Sequence, residues 1–346
     1  MSGTSLDGVD LAYCHFVKEN STWKFEIRSA ITIEYSTLWK KKLSTLHSQD
    51  ALLFANTQAE YGHYLGILVN DFIGKNKLSV DFIASHGHTI FHQPQHIFTS
   101  QIGDGAAIAA ECGLPVVCDF RSKDIALGGQ GAPLVPIGDQ QLFSQYDFCL
   151  NFGGIANISF DLKKSRIAFD VCPCNIVLNY FSAQLGKEYD DGGKIAATGK
   201  LNESLFKQLN ALPFYAIHSQ KSLGREDIEG DFFPLLNSSE ISVEDKLNTF
   251  CEHIAFQVSN VIKNSRPETG NNKLLITGGG AFNSYLVSRI RELSGIEIII
   301  PDETIIQFKE ALIFAFLGVL RWRGEVNCLK SVTGARVDSV SGAIYL

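Results

Sequence analysis

Apolar and polar residues alternate along 9–17 and again along 25–34. In the first run Val9, Leu11, Tyr13 and His15 fall on one face, and Asp10, Ala12, Cys14 and Phe16 on the other. A period of two is the mark of a strand, so the two runs are expected to pair as part of a meander. From 36 to 75 the spacing changes. Leu38, Leu43, Leu46, Leu52, Phe54, Tyr61, Leu65, Leu68 and Phe72 recur at roughly helical intervals, and one helix is predicted there. Short apolar runs predict further strands over 80–85, 114–118, 148–152, 155–160, 273–277, 297–300 and 342–346, and one ending near Asp170. Helices are predicted over 101–113 (after a turn), 136–144, 176–184, 201–209, 243–263, 283–294 and 308–323. Strands that alternate with helices in this way predict an α/β protein.

Three of the predicted strand ends are rich in glycine. The first ten residues read M-S-G-T-S-L-D-G-V-D, with Gly3 and Gly8 bracketing Thr4, Ser5, Leu6 and Asp7. Such a loop lets backbone N–H groups lie close to an anion, and a carboxylate beside it can hold magnesium through water. Asp-Gly is equally a strong turn signal, so an ordinary hairpin stands as the other reading. Half a chain later Gly153 and Gly154 turn one predicted strand into the next, with Asn151 and Asn157 on either side. The third strand end carries Gly278, Gly279 and Gly280, followed by Asn283. A glycine turn there would let the backbone approach a flat ligand such as adenine or ribose. The first two hairpins repeat an architecture rather than a sequence, as two lobes gripping a nucleotide's phosphates would.

Polar clusters follow other strand ends. The 80–85 run ends in Ser85-His86-Gly87-His88-Thr89. His86 and Thr89 are the candidate substrate contacts. His86, His88, His92 and His96 lie close in sequence, but no Cys or carboxylate falls at ligand spacing and Pro94 interrupts, so no zinc site is expected. Arg121 and Lys123 alternate with Asp119 and Asp124 just before the glycine run at 128–131. This is either a solvated loop or a site for an anionic or polyhydroxylated ligand. Asp170 ends an apolar run ahead of Pro173, which suits a general base, a helix cap or a turn carboxylate alike. The stretch 221–226 lines a cleft or is a surface turn. Glu310 falls near the start of the predicted last helix, where acidic residues favour the helix dipole.

With 346 residues, of which 45% are hydrophobic, the chain suits two domains or one bilobed unit. A net charge of −7 gives no reason to expect nucleic acid or an anionic membrane. The longest apolar stretch, 311–320, is too short to span a bilayer, and no basic region leads into an apolar run at the start. The eight cysteines form no C-x-x-C pair, and Cys172-Pro173-Cys174 lacks a partner pair. They are expected to be reduced, buried small hydrophobes in a cytoplasmic protein.

Taken together, several segments are similar to one known family. They are M-S-G-T-S-L-D-G-V-D (1–10), S-H-G-H-T (85–89), Q-I-G-D (101–104) and D-F-R-S-K-D-I-A-L-G-G-Q-G-A-P-L-V-P (119–136). Further on come N-F-G-G-I-A-N-I-S (151–159), F-D-V-C-P-C-N (169–175), G-R-E (224–226), G-G-G-A-F-N (278–283) and V-T-G-A (332–335). In order and content the chain resembles the anhydro-N-acetylmuramic acid kinases, of the actin, sugar-kinase and heat-shock-chaperone ATPase superfamily.

The resemblance implies two actin-like, ribonuclease H-like lobes with mixed sheets flanked by helices and ATP in the interlobe cleft. Lobe I would be 1–135 with 311–346, and lobe II 136–310. ATP would be held by Gly3, Thr4, Ser5, Leu6, Asp7, Gly8 and Asp10 in the first hairpin and by Asn151, Gly153, Gly154 and Asn157 in the second. Gly278, Gly279, Gly280 and Asn283 would sit by the adenosine. Asp170 matches the catalytic aspartate. Thr89, Lys123 and Glu310 fall in the sugar pocket with His86, and Arg121 or Lys123 would meet the substrate's lactyl carboxylate. Asp7 would hold Mg2+ through water.

The implied reaction opens 1,6-anhydro-N-acetylmuramic acid with water and phosphorylates O6 from ATP, in peptidoglycan recycling. A homodimer is implied as well. The chain departs from the family at Lys123, often Arg there, and at Cys172 and Cys174, usually glycine. The family also has several residues before M-S-G-T-S, so the first strand of lobe I is almost absent here: either the start lies upstream or that edge is frayed and binds ATP less well. The other readings are a kinase for an anhydrosugar such as levoglucosan, an ATPase chaperone or assembly factor on the same fold, and a metal-dependent hydrolase. The chaperone lacks an additional domain, and the hydrolase a ligand set.

Overall fold

The computed structural model describes residues 1–346 except Thr4, Ser5, His218, Ser219, Gln220, Arg266, Glu268 and Thr269. Six strands precede residue 143: β1 (Gly8–Glu19), β2 (Thr22–Glu34), β3 (Ile83–Ala84), β4 (His88–Gln93), β5 (Phe98–Ile102) and β6 (Val116–Cys118). Five more lie before residue 308: β7 (Phe148–Phe152), β8 (Ile155–Leu162), β9 (Ser165–Pro173), β10 (Lys273–Thr277) and β11 (Glu297–Ile299). β12 (Ala343–Tyr345) closes the chain. The chain divides into one unit of Met1–Leu142 with Phe308–Leu346 and a second of Phe143–Gln307. These divisions fall a few residues from the expected 135/136 and 310/311. The reason is the helix Pro136–Leu142, which stays with the first unit. Its Asp139 forms a buried ion pair with Lys309 at 2.7 Å, and Gly138 lies against Ile313 with no room for a side chain.

The second unit is built on one sheet in the order β11-β10-β7-β8-β9. β7, β8 and β9 run antiparallel as consecutive hairpins, while β10 and β11 add parallel to β7. Counted along the unit, that is the 3-2-1-4-5 order of a ribonuclease H-like fold. β7 stands in the middle and is apolar on both faces, with Phe148, Cys149, Leu150 and Phe152 all buried. A strand covered on both sides needs such a continuous run rather than alternation. The helix Val243–Asn264, capped by Ser242, contributes Leu247, Phe250, Ile254 and Val258 to the same core.

His253 on that helix is wholly buried, and desolvation favours its neutral ring. Its Nδ1 lies 2.9 Å from Asn210 Oδ1, an acceptor, and its Nε2 lies 2.7 Å from the Tyr215 hydroxyl. Burial lowers its pKa from 6.5 to about 3. The unfolded chain therefore binds a proton below pH 6.5 that the folded chain refuses until about pH 3. Stability should be fully present above pH 6.5 and be lost progressively as pH falls towards 3. Urea midpoints measured from pH 7 downwards check this, and His253→Gln should flatten the slope.

The first unit holds three small sheets: the hairpin β1-β2, the trio β12-β6-β3 and the hairpin β4-β5. β3 is parallel to β6, and β12 is antiparallel to it. The single helix expected over 36–75 is two, Thr37–Thr45 and Ala51–Asn76, separated by a short turn. Asp50 ends the break by accepting the Leu53 N–H at 2.8 Å as a helix cap. The β4-β5 pair has no counterpart among the expected elements, and the strand expected over 80–85 shortens to Ile83–Ala84. The last helix begins at Glu303 rather than 308, so Glu310 lies on its third turn and not at its start. Among the described residues no helix is long and apolar enough to cross a membrane. All eight cysteines are free thiols; six are buried, and Cys14 and Cys112 are half-buried. Burial pushes the Cys14 thiol up to about 12 and those of Cys112 and Cys118 to about 11.

Candidate active site

In the second unit the two glycine-rich strand ends come together. Gly153 and Gly154 turn β7 into β8 in a two-residue hairpin. Their carbonyls accept the first N–H groups of the helix Asn175–Gln184: Cys174 and Ile176 donate to Gly154 at 2.9 and 3.2 Å, and Asn175 to Gly153 at 3.2 Å. Asn175 Nδ2 holds the Phe152 carbonyl at 3.0 Å. The turn after β10 crosses directly over this hairpin. A Cβ on Gly278 would stand 2.7 Å from Asn151 Oδ1 and 2.8 Å from the Phe152 carbonyl, and its φ of +79° is itself in the glycine region. Gly280 is equally close to Phe152. Gly278→Ala should therefore destabilise the protein by about 1–3 kcal/mol, read as a lower urea midpoint. Asn283 is buried and its Oδ1 caps the next helix, accepting from Leu286 N at 3.0 Å. Its side chain thus builds the turn. Gly193, at φ +72°, packs under it, and the neighbouring Gly192 carbonyl accepts from Ser284 Oγ at 3.0 Å, which sequence reasoning missed because that loop lies some 90 residues away.

Asp170 lies in β9, opposite Asn157 of β8, and is no helix cap. A segment distant in sequence clasps it. Ser222 Oγ donates to its Oδ2 at 3.0 Å and Leu223 N at 2.9 Å, while its own N–H donates to the Lys221 carbonyl at 3.0 Å. Of the open readings of 221–226, the structure brings 221–223 to this carboxylate. Arg225 instead pairs with Glu229 on the surface. Desolvation raises the Asp170 pKa, and the two donated hydrogen bonds pull it back. A half-buried carboxylate with one oxygen anchored and its basicity raised has the properties of a general base.

In the first unit the N-terminal loop returns to β1 through Met1, whose amine donates to the Asp10 carbonyl and whose carbonyl accepts from Asp10 N, both at 2.8 Å. Leu6 takes a positive φ of +60° in the tight turn, Gly3 and Gly8 flank it, and Asp7 is exposed. Thr4 and Ser5 lie outside the described residues. Asp10 Oδ1 accepts from Thr32 at 2.7 Å. Behind the loop, Ser2 Oγ joins the Tyr35 hydroxyl at 2.5 Å and His88 Nδ1 at 2.8 Å, and Tyr35 continues to Tyr61. No sequence pattern marks this buried polar chain, since its members lie 33 and 86 residues from Ser2.

His86 and Arg121 are joined as a pair. The His86 Nε2 accepts from Arg121 Nε at 3.1 Å and Nη2 at 2.9 Å, and its Nδ1 lies 3.0 Å from the Gly87 carbonyl. This fixes the neutral tautomer, and burial with the neighbouring guanidinium holds the imidazole pKa well below 6.5. Arg121 also donates to the Gly131 carbonyl at 2.7 Å and stacks on Phe314. Three of a guanidinium's five N–H groups are thereby used. Glu310 carries an exposed side chain, yet the mass of protein around it raises its carboxyl pKa, with Arg121 opposing. Lys123 is exposed and donates to the Val340 carbonyl at 2.9 Å, apart from the Arg121 group. Thr89 Oγ1, in β4, accepts from Gln101 at 3.3 Å. Among the described residues no group of three His, Cys, Asp or Glu side chains comes together as metal ligands.

Comparison with known proteins relates the whole chain to one family. The anhydro-N-acetylmuramic acid kinase family model matches residues 1–346. A protein of Coxiella burnetii bearing that name is 36% identical over 364 aligned residues, covering 100% of this chain and 96% of its own. Proteins of the same name from Shewanella sediminis and Sulfurovum sp. are each 34% identical, covering 100% of this chain and 97% and 98% of their own.

Proposed function

The chain belongs to the anhydro-N-acetylmuramic acid kinase family, and from that membership we propose that it opens 1,6-anhydro-N-acetylmuramic acid with water and phosphorylates the freed O6 from ATP. The observation that carries the mechanism is the clasped Asp170, with Oδ2 bound by Ser222 and Leu223 and its pKa raised by desolvation. In the substrate O6 is tied to C1 as an internal ether and has no proton for a base to remove. Asp170 instead takes a proton from water as that water attacks C1. The C1–O6 bond breaks, O6 takes the γ-phosphoryl group, and ADP leaves. The products are N-acetylmuramic acid 6-phosphate and ADP. Phosphoryl transfer itself asks the protein mainly for positioning and charge stabilisation.

Backbone N–H groups of the Gly3–Asp10 and Asn151–Asn157 hairpins are the phosphate contacts in this reading, and the Gly278–Gly280 turn the adenosine contact. Arg121, with two N–H groups left, is the partner of the lactyl carboxylate, and Thr89 and Glu310 bind sugar hydroxyls or amide. Magnesium takes oxygen ligands. The exposed Asp7 and the half-buried Asp10 offer carboxylates of that kind, so the donor set fits. When bound, the ion would neutralise charge on the phosphates. ATP as donor implies a cytoplasmic reaction, and light scattering tests the homodimer.

The test is folded protein with ATP, magnesium and 1,6-anhydro-N-acetylmuramic acid. ADP and the 6-phosphate should appear in equal amounts. Levoglucosan, which has no lactyl carboxylate for Arg121, should react far more slowly. Absence of both products would overturn the reading.

A further inference from the structure

Asp124 carries a carboxylate into the interior of the first unit, where it is 1% exposed. The proposed chemistry gives it no part. It sits on the short helix Ser122–Ala126, which Arg121 directly precedes. Three neutral donors converge on it. Its Oδ2 accepts from Gly131 N at 2.7 Å. Its Oδ1 accepts from Thr333 Oγ1 at 2.8 Å and from the Cys328 thiol at 3.1 Å. Both of those residues are themselves buried. A carboxylate is costly to bury, and hydrogen bonds to a charged acceptor are stronger than those between neutral groups. Asp124 therefore holds its partners more firmly than a neutral side chain would.

What it holds is the loop 128–131. A Cβ on Gly129 would overlap Asp124 Oδ2, so the loop closes directly onto the carboxylate. The far side of the loop is tied to the segment 328–336. Gln130 N donates to the Thr333 carbonyl at 2.8 Å, and Arg336 N to the Leu127 carbonyl at 3.2 Å. The glycine run and the V-T-G-A stretch, 200 positions apart in the chain, thus meet at one buried carboxylate.

Gly131 passes this hold on to the sugar site. Its N–H goes to Asp124, while its carbonyl accepts from Arg121 Nη1 at 2.7 Å. His86 grips Nε and Nη2 of the same guanidinium. The fork is therefore held at both ends, and the two N–H groups that remain are one on Nη1 and one on Nη2. Such a pair suits the two oxygens of a carboxylate.

We propose that Asp124 is a positioning residue for recognition of the sugar's carboxylate: by fixing Gly131 it holds the Nη1 end of Arg121, so that both remaining N–H groups face the substrate together. The inference rests on Arg121 being the partner of the lactyl carboxylate. Asp124 touches no substrate and moves no proton.

The test uses Asp124→Ala, Asp124→Asn and Thr333→Val. Asn keeps an acceptor for the Gly131 N–H, and Val keeps the shape of Thr while removing one donor to Oδ1. Kinetics are read with 1,6-anhydro-N-acetylmuramic acid and with the same anhydrosugar lacking its lactyl ether. Asp124→Ala should raise KM for the first sugar roughly 10–100-fold, with kcat and the KM for ATP little changed. It should leave kcat/KM for the lactyl-free sugar within about twofold. Asp124→Asn and Thr333→Val should fall between wild type and Asp124→Ala. Hydrogen exchange at the Arg121 Nε–H, followed by NMR, needs no turnover and should quicken in the same order, roughly tenfold for Asp124→Ala. If the wild type forms no product, the kinase reading fails, and the exchange series still decides whether Asp124 orders Arg121. If Asp124→Ala does not fold, the two milder variants carry the same comparison. An equal loss on both sugars, or Arg121 exchange unaltered in every folded variant, would overturn the proposal.

Discussion

Asp170→Asn should lower kcat by roughly 10²–10⁴-fold, the usual contribution of a general base, while ATP affinity and fold persist. Asn keeps an oxygen in place to accept from Ser222 and Leu223, so the clasp survives. What is lost is the capacity to take a proton. Because desolvation already disfavours the ionised carboxylate, the amide should leave Tm unchanged or raise it slightly. The wild type adds a second signature. The base acts deprotonated, so activity should fall on the acid side, with a midpoint above the ordinary aspartate value because the pKa is raised. Single-turnover rates across pH, with nucleotide binding measured in parallel, test both points. Undiminished turnover by the Asn variant would remove Asp170 from the chemistry.

Arg121→Lys should cost about 10²-fold in kcat/KM, felt mainly in KM for the sugar. Charge-assisted hydrogen bonds contribute about 1.5–3 kcal/mol each when desolvated. Lysine keeps the charge but not the fork, and cannot at once satisfy His86, Gly131 and a carboxylate. Lys123→Ala should change KM little, since Lys123 holds the Val340 carbonyl at the surface. An equal loss in the two variants would show that the cation is not chosen by geometry. The neutral His86 acts through Arg121 as a positioning residue. Its replacement by Gln, which retains an acceptor, should be milder than replacement by Ala.

Much of this arrangement is legible in the residues alone. Glycine is read easily at Gly278 and Gly280, where the close approach of Phe152 leaves no room for a side chain. β7 and β10 are legible because a strand covered on both faces is uniformly apolar. The break between the helices Thr37–Thr45 and Ala51–Asn76 is hidden, since Leu46 and Leu52 continue the apolar spacing across it. The β4-β5 hairpin is hidden by its histidines and Pro94, which blur the alternation. The clasp on Asp170 and the His86–Arg121 pair join residues 52 and 35 positions apart, and no local pattern encodes such meetings.

The sheltered cysteines have a practical meaning. Alkylating reagents and maleimides react with thiolates, and thiols pushed to about 11 or 12 supply almost none at neutral pH. The protein should therefore be nearly silent to such reagents while folded, although it carries eight thiols. A single cysteine placed at an exposed position, such as Lys123→Cys, would take a fluorophore selectively without removal of any native cysteine. Distance measurements on the working enzyme could then begin from the unaltered background, and a rise in total labelling would report unfolding directly.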